Sequence, residues 1–144
     1  MIRKAETKDV NDIVDLGIEF GLKTQGIHTM KVNSEKIRET VQLALINLNF
    51  VLLVQEDEGV IEGVAFGMVV SSYFSTDLVL QEMALYSRKP SGLLRLIDAF
   101  EKEAKSRGIS KIVLGCKPDF YDMTKIYRHK KYRLLETQFI KTGV

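Results

Sequence analysis

Apolar residues recur along this chain in two rhythms, and the switches between the rhythms divide it into elements. A short apolar start over residues 1–5 reads as a strand, and Thr7 or Asp9 then caps a run in which Val10, Ile13, Val14, Leu16, Ile18 and Phe20 fall at helical spacing. Residues 21–32 mix glycine with polar positions and read as a loop. Asn33 or Ser34 caps a second helix, with Ile37, Val41, Leu45 and Leu48 on one face. The period then changes to that of strands. Residues 50–56 and 60–70 are rich in β-branched side chains and separated by Asp57-Glu58-Gly59, a hairpin signal. Residues 78–86 form a third such run. After a polar turn, Leu93, Leu94, Ile97, Phe100 and Ala104 return to helical spacing in a helix predicted to reach Arg107 and stop at Gly108. Residues 111–116 are almost continuously apolar, as expected of a strand buried on both faces and reached by a helical crossover. A short helix over 122–130 and a last strand over 132–141 complete the pattern. The order predicts an α/β (α+β) fold with a mixed, mostly antiparallel sheet of about six strands flanked by about four helices.

Composition narrows the function classes. With 144 residues the chain is long enough for one domain with a core of two or three layers, and no repeat or low-complexity stretch marks a second unit. No apolar run reaches membrane-spanning length, and Arg3, Lys4, Glu6 and Asp9 interrupt any leader pattern, so a cytoplasmic location away from membranes is expected. A net charge of +2 is too small to argue for nucleic acid as a partner. The cluster Arg128-His129-Lys130-Lys131 with Arg133 reads as a solvated helix end, where cations suit the dipole, or as electrostatic help for an anionic cofactor or acceptor. The single cysteine, Cys116, excludes an internal disulfide, and it with the two distant histidines offers no metal constellation. Near the end of a strand, Cys116 reads as a small hydrophobe.

The chemistry-bearing segment is Glu82-Met-Ala-Leu-Tyr-Ser-Arg-Lys-Pro-Ser-Gly-Leu-Leu-Arg-Leu-Ile97, a strand running through a short turn into a helix. Such a junction holds anions, because the first amides of a helix lack acceptors and sit at the positive end of its dipole. Arg88 and Lys89 add charge, Pro90 suits the first turn, and Ser91 and Gly92 allow close approach.

The junction, together with the element order from Ile2-Arg-Lys-Ala-Glu-Thr-Lys-Asp-Val onward, resembles the GCN5-related N-acetyltransferase (GNAT) superfamily, and the chain is similar to its short phage-encoded and bacterial members. The family's Arg/Gln-x-x-Gly-x-Gly/Ala pattern reads here Arg88-Lys89-Pro90-Ser91-Gly92-Leu93, with Ser91 and Leu93 replacing the small positions. The resemblance implies acetyl-CoA as cosubstrate and no metal. The backbone of Met83, Ala84 and Leu85 would pair with its pantetheine arm, and Arg88, Lys89, Pro90, Ser91, Gly92, Leu93 and Leu94 would hold its pyrophosphate. The acceptor would be a primary amine of a small molecule or protein.

The same resemblance suggests catalytic groups. Glu82, alone among apolar neighbours, would have a raised pKa suited to a general base, or would be a partly exposed carboxylate in an ion pair. Tyr127 falls where the family's Leu-Tyr-x-x-x-Gly-Phe carries a general acid, here Ile126-Tyr127-Arg128-His129-Lys130-Lys131-Tyr132; the alternative is an aromatic packing the last helix. Phe120 stands where a cofactor-binding asparagine is frequent. His28, Tyr73 and Phe74 are candidates to border the acceptor. Few residues follow Lys131 compared with the usual final hairpin, so an open acceptor side, or a homodimer pairing through the free edge, is expected. The other reading is a degenerate GNAT-like domain kept for binding, as a regulatory or virion-associated protein.

Overall fold

The computed structural model describes residues 1–144. Its strands are β1 (Ile2–Lys4), β2 (Phe50–Asp57), β3 (Val60–Val70), β4 (Val79–Ser87) and β5 (Lys111–Val113). Its helices are α1 (Val10–Lys23), α2 (Gln25–His28), α3 (Ser34–Ile46), α4 (Ser91–Ser106) and α5 (Thr124–His129). The strands lie in sequence order in one sheet, antiparallel through β4, with β5 parallel to β4 after the α4 crossover. The hairpin between β2 and β3 turns on Glu58 and Gly59, both at positive φ, a conformation glycine adopts at no steric cost.

Strand alternation assigns the two faces. Leu52, Val54, Val64 and Tyr86 meet α1 and α3 through Ile13, Val14, Leu16, Val41 and Ala44. Val51, Leu53, Ala65 and Leu80 meet α4 through Leu96, Phe100 and Ala104. A third cluster, Leu93, Ile97, Met123 and Tyr127, seats α5 on the beginning of α4. Phe100 is buried where Gly67 leaves room: a Cβ there would collide with its ring.

Several expectations are corrected. The loop over 21–32 is partly helical: α1 runs through Lys23, and α2 follows a break where the Thr24 hydroxyl turns back to the Phe20 carbonyl at 2.7 Å. Leu48 does not share the α3 face; the helix ends at Ile46, Leu48 is exposed, and Ala44 takes the core position. The strand β5 is three residues long and only half-buried, because no strand lies on its outer side. Residues 132–141 form no strand: Leu134, Leu135 and Phe139 are exposed, and only Tyr132 is fastened, by packing on the third cluster and a 3.0 Å bond to Glu101.

Arg3 on β1 binds Asp9 through two nitrogens at 2.8 and 3.0 Å and Glu56 through Nε at 2.8 Å, tying the start of α1 to the sheet. Asp9 is 3% exposed and also accepts the Glu6 amide. The Arg3 guanidinium holds the Asp9 carboxyl below the usual aspartate range. A depressed folded pKa stabilises above the unfolded value of about 3.9, and that contribution is lost as pH falls through the folded value. Denaturant titrations should therefore show stability dropping below about pH 4, and less steeply in Asp9→Asn. At neutral pH the same variant should lose roughly 3 kcal/mol, because Arg3 keeps its charge without its main partner.

Candidate active site: a fork between two parallel strands

The site is made by a ladder that stops early. β4 pairs with β5 only at Val79, Leu80 and Gln81, opposite Lys111, Ile112 and Val113, whereas on its other side it pairs with β3 along its length. A register shift leaves Met83 as the extra residue between Glu82 and Ala84. Such a bulge increases local twist and turns the strand away from its neighbour. Beyond Gln81 the two strands part, and the backbone of Met83, Ala84 and Leu85 faces the gap without a β5 partner.

Glu82 and Tyr127 meet in this fork at a single residue, Gly115, one on each of its two flanking peptide groups. Glu82 Oε2 accepts the Gly115 amide at 2.9 Å, and the Tyr127 hydroxyl donates to the Gly115 carbonyl at 2.7 Å. Burial pushes the Glu82 carboxyl up from its ordinary value, against the opposing pull of the Gly115 amide and Lys117. Burial, and then the charge of Glu82, push the Tyr127 phenol up as well. A carboxyl that gives up its proton reluctantly thus lies beside a phenol that keeps its own.

A cavity of about 250 Å3 opens from the fork. Glu82, Leu85, Gly115 and Tyr127 line it, together with Phe20 and Lys23 of α1, Tyr86 of β4 and Phe120 of the link between β5 and α5. The rings of Phe20, Tyr86 and Phe120 pack with centroids 5.5 to 6.3 Å apart, and Lys117 stands 5.4 Å above Phe20. At the rim, Arg88 donates to Glu19 at 2.8 Å, Tyr86 donates to the other Glu19 oxygen at 2.9 Å, and Lys23 donates to the Tyr86 hydroxyl at 2.9 Å. Burial works against the charge of Glu19, but Arg88, Tyr86 and Lys23 together hold its carboxyl below the usual range.

At the turn into α4, Pro90 precedes the first helical residue. Gly92 and Leu93 donate back to Lys89 and Pro90, while the exposed Ser91 amide finds no acceptor in the protein. Leu93 is buried among Ile97, Met123 and Tyr127 and leaves the turn clear; Leu94 is half-exposed on the helix. Gly92 has a task not anticipated from sequence. It packs on the Gln55 side chain, with which a Cβ would collide.

Other candidates lie elsewhere. Both ring nitrogens of His28 are engaged, one with the Gly21 carbonyl at 3.0 Å and one accepting the Met30 amide at 2.9 Å, and the ring does not line the cavity. Tyr73 and Phe74 pack edge to face on each other in the exposed link between β3 and β4, away from the fork. Cys116 borders the cavity but is exposed, since β5 ends before it. Conversely, Glu19, Lys23, Tyr86, Lys117, Gln55 and Ser87 were not singled out. They come together only through pairing and packing; the one local signal was Gln55, whose parity continues the α4-facing row of Val51 and Leu53.

No family model and no curated protein matches the sequence. Solved structures do match. A predicted acetyltransferase from Clostridium acetobutylicum, determined with acetyl-CoA, aligns over 99% of this chain and 95% of its own, with TM-score 0.76 and 19% identity. The chain has the fold of the GNAT acetyltransferases. A ribosomal-protein-alanine N-acetyltransferase from Brucella melitensis biovar Abortus shares that GNAT fold over 99% of this chain and 98% of its own, at TM-score 0.75 and 15% identity. An aminoglycoside acetyltransferase from an uncultured soil metagenomic sample, in complex with sisomicin, aligns over 100% and 94% at TM-score 0.66 and 18% identity. Within this GNAT fold no helix is long and apolar enough to cross a membrane.

Gly92→Ala should cost roughly 1–3 kcal/mol of unfolding free energy, as an overpacked contact does. Ser91→Ala, at the exposed neighbouring position, should stay within about 0.5 kcal/mol. Chemical denaturation of the two variants checks this.

Proposed function

We propose that the chain is an acyl-CoA-dependent N-acetyltransferase that moves an acetyl group directly to a primary amine of a small molecule or a protein. The observation that carries this reading is the fork itself, where Glu82 and Tyr127 converge on the backbone of Gly115 beside unpaired β4 backbone. The fold neighbours are acetyltransferases, and one was solved with acetyl-CoA. The chain's free groups fit that cosubstrate. Extended backbone at Met83, Ala84 and Leu85 suits an amide-bearing arm, and the open Ser91 amide beside Arg88 and Lys89 suits a pyrophosphate.

Acetyl-CoA, when bound, supplies an activated acetyl thioester. The protein's part is orientation and proton handling. Glu82 Oε, with its raised pKa, takes a proton from the ammonium or attacking amine, directly or through one water. The Tyr127 hydroxyl, kept protonated by burial, gives its proton to the departing thiolate, and the Gly115 carbonyl that it now bonds holds it aimed into the fork. The aromatic and cationic wall of Phe20, Lys23, Tyr86 and Phe120 is the surface offered to the acceptor.

Calorimetric titration with acetyl-CoA is the first test: micromolar binding that is lost in Ser91→Glu, at the exposed open amide, supports the reading, and no binding by the unsubstituted protein overturns it in favour of a binding domain without catalysis. Once an acceptor amine is found, Glu82→Gln should lower kcat/KM by about 10²–10⁴-fold. The acid limb of its pH profile should flatten, because the base works only above the raised Glu82 pKa. Tyr127→Phe should lower kcat with acetyl-CoA affinity retained; an unchanged kcat removes the acid role.

A further inference from the structure

We infer that Gln55 and Ser87 are positioning residues for the anion-holding turn, acting as a buried relay that reaches across the sheet from β2 to the start of α4. The inference rests on the acetyltransferase reading above. Three residues stand in one row on the α4 side of the sheet: Gln55 opposite Gly63, and Gly63 opposite Ser87. Gly63 has no side chain, so the Gln55 amide lies across β3 and touches β4; a Cβ at Gly63 would sit 2.6 Å from Gln55 Oε1. Gly92 then covers the same amide from above. The amide is sandwiched between two glycines and fully buried.

Chemistry fixes the direction of the relay. The Asp57 carboxylate lies 2.8 Å from Gln55 and only accepts, so the amide nitrogen faces Asp57 and the amide oxygen faces Ser87. The Ser87 hydroxyl lies 2.7 Å from Gln55 Oε1 and 2.7 Å from the Lys89 carbonyl, sharing its one proton between them, and accepts the Lys89 amide at 3.1 Å. The Lys89 carbonyl in turn accepts the Gly92 amide at 2.8 Å. Both polar groups of the Lys89 backbone are thereby held by a hydroxyl whose own position is set from β2. The turn from Arg88 to Gly92 is fixed in the arrangement that leaves the Ser91 amide outward and free. Asp57 also lies 4.0 Å from Lys89 and from Arg95, a carboxylate neighbour for both side chains until an anion arrives.

The relay acts on the pyrophosphate end of the ligand and not on its thioester end, which gives a readout that general loosening of the fold would not reproduce. In Ser87→Ala and Gln55→Met, acetyl-CoA affinity should fall by about tenfold, the worth of one oriented hydrogen bond. Affinity for acetylpantetheine, which lacks the pyrophosphate, should be unchanged. Parallel loss for both ligands, or no loss for acetyl-CoA, overturns the inference. Amide hydrogen exchange of the free protein decides it independently of the cofactor: in Ser87→Ala, faster exchange confined to residues 88–92 supports the relay, and unchanged exchange there overturns it. If the unsubstituted protein binds no acetyl-CoA, the acetyltransferase reading fails, and the exchange result still judges the relay.

Discussion

A strand held along its length on one side and at three residues on the other is the constraint from which the rest of this molecule follows. β4 keeps its pairing with β3 through the Met83 bulge, and the bulge twists it away from β5. The polar backbone exposed by that parting is normally a cost. Here part of it is met by Glu82, whose carboxylate takes the Gly115 amide, and by Tyr127, whose hydroxyl satisfies the carbonyl of the same residue. The two groups that stabilise the open fork are the two proposed to move protons within it. Closing the fork with a longer ladder would remove both the gap and their reason for being there.

Much of the architecture was legible because each element carried its own period and punctuation. The hairpin turned at Glu58 and Gly59, Asn33 caps α3 by accepting the Lys36 amide, and α4 ends before Gly108 at positive φ. The errors share a cause. Residues 132–141 have an apolar content that suits a strand, but a strand exists only where a neighbour pairs with it, and β5 is too short to offer an edge there. The same shortness exposes Cys116.

The site was legible in part for a related reason. Tyr127 sits at a position that a motif names and Glu82 is the lone carboxylate of an apolar run, while Gln55, Ser87 and Glu19 act through partners 32 to 69 residues away. Such partnerships are set by register and by the seating of helices, and single-sequence periodicity is blind to them. Gly92 illustrates the difference. Its smallness was read as room for a ligand, and the structure spends that room on the inner side, against a buried amide.

That inner packing has an evolutionary side. Residues 55, 63 and 92 share one small volume, so none of them drifts alone. A side chain at position 92 fits without strain only beside a shorter residue 55, and shortening residue 55 alone leaves a void beneath α4 and a Ser87 hydroxyl missing its amide neighbour. Three positions on three separate elements are thus coupled through one buried amide.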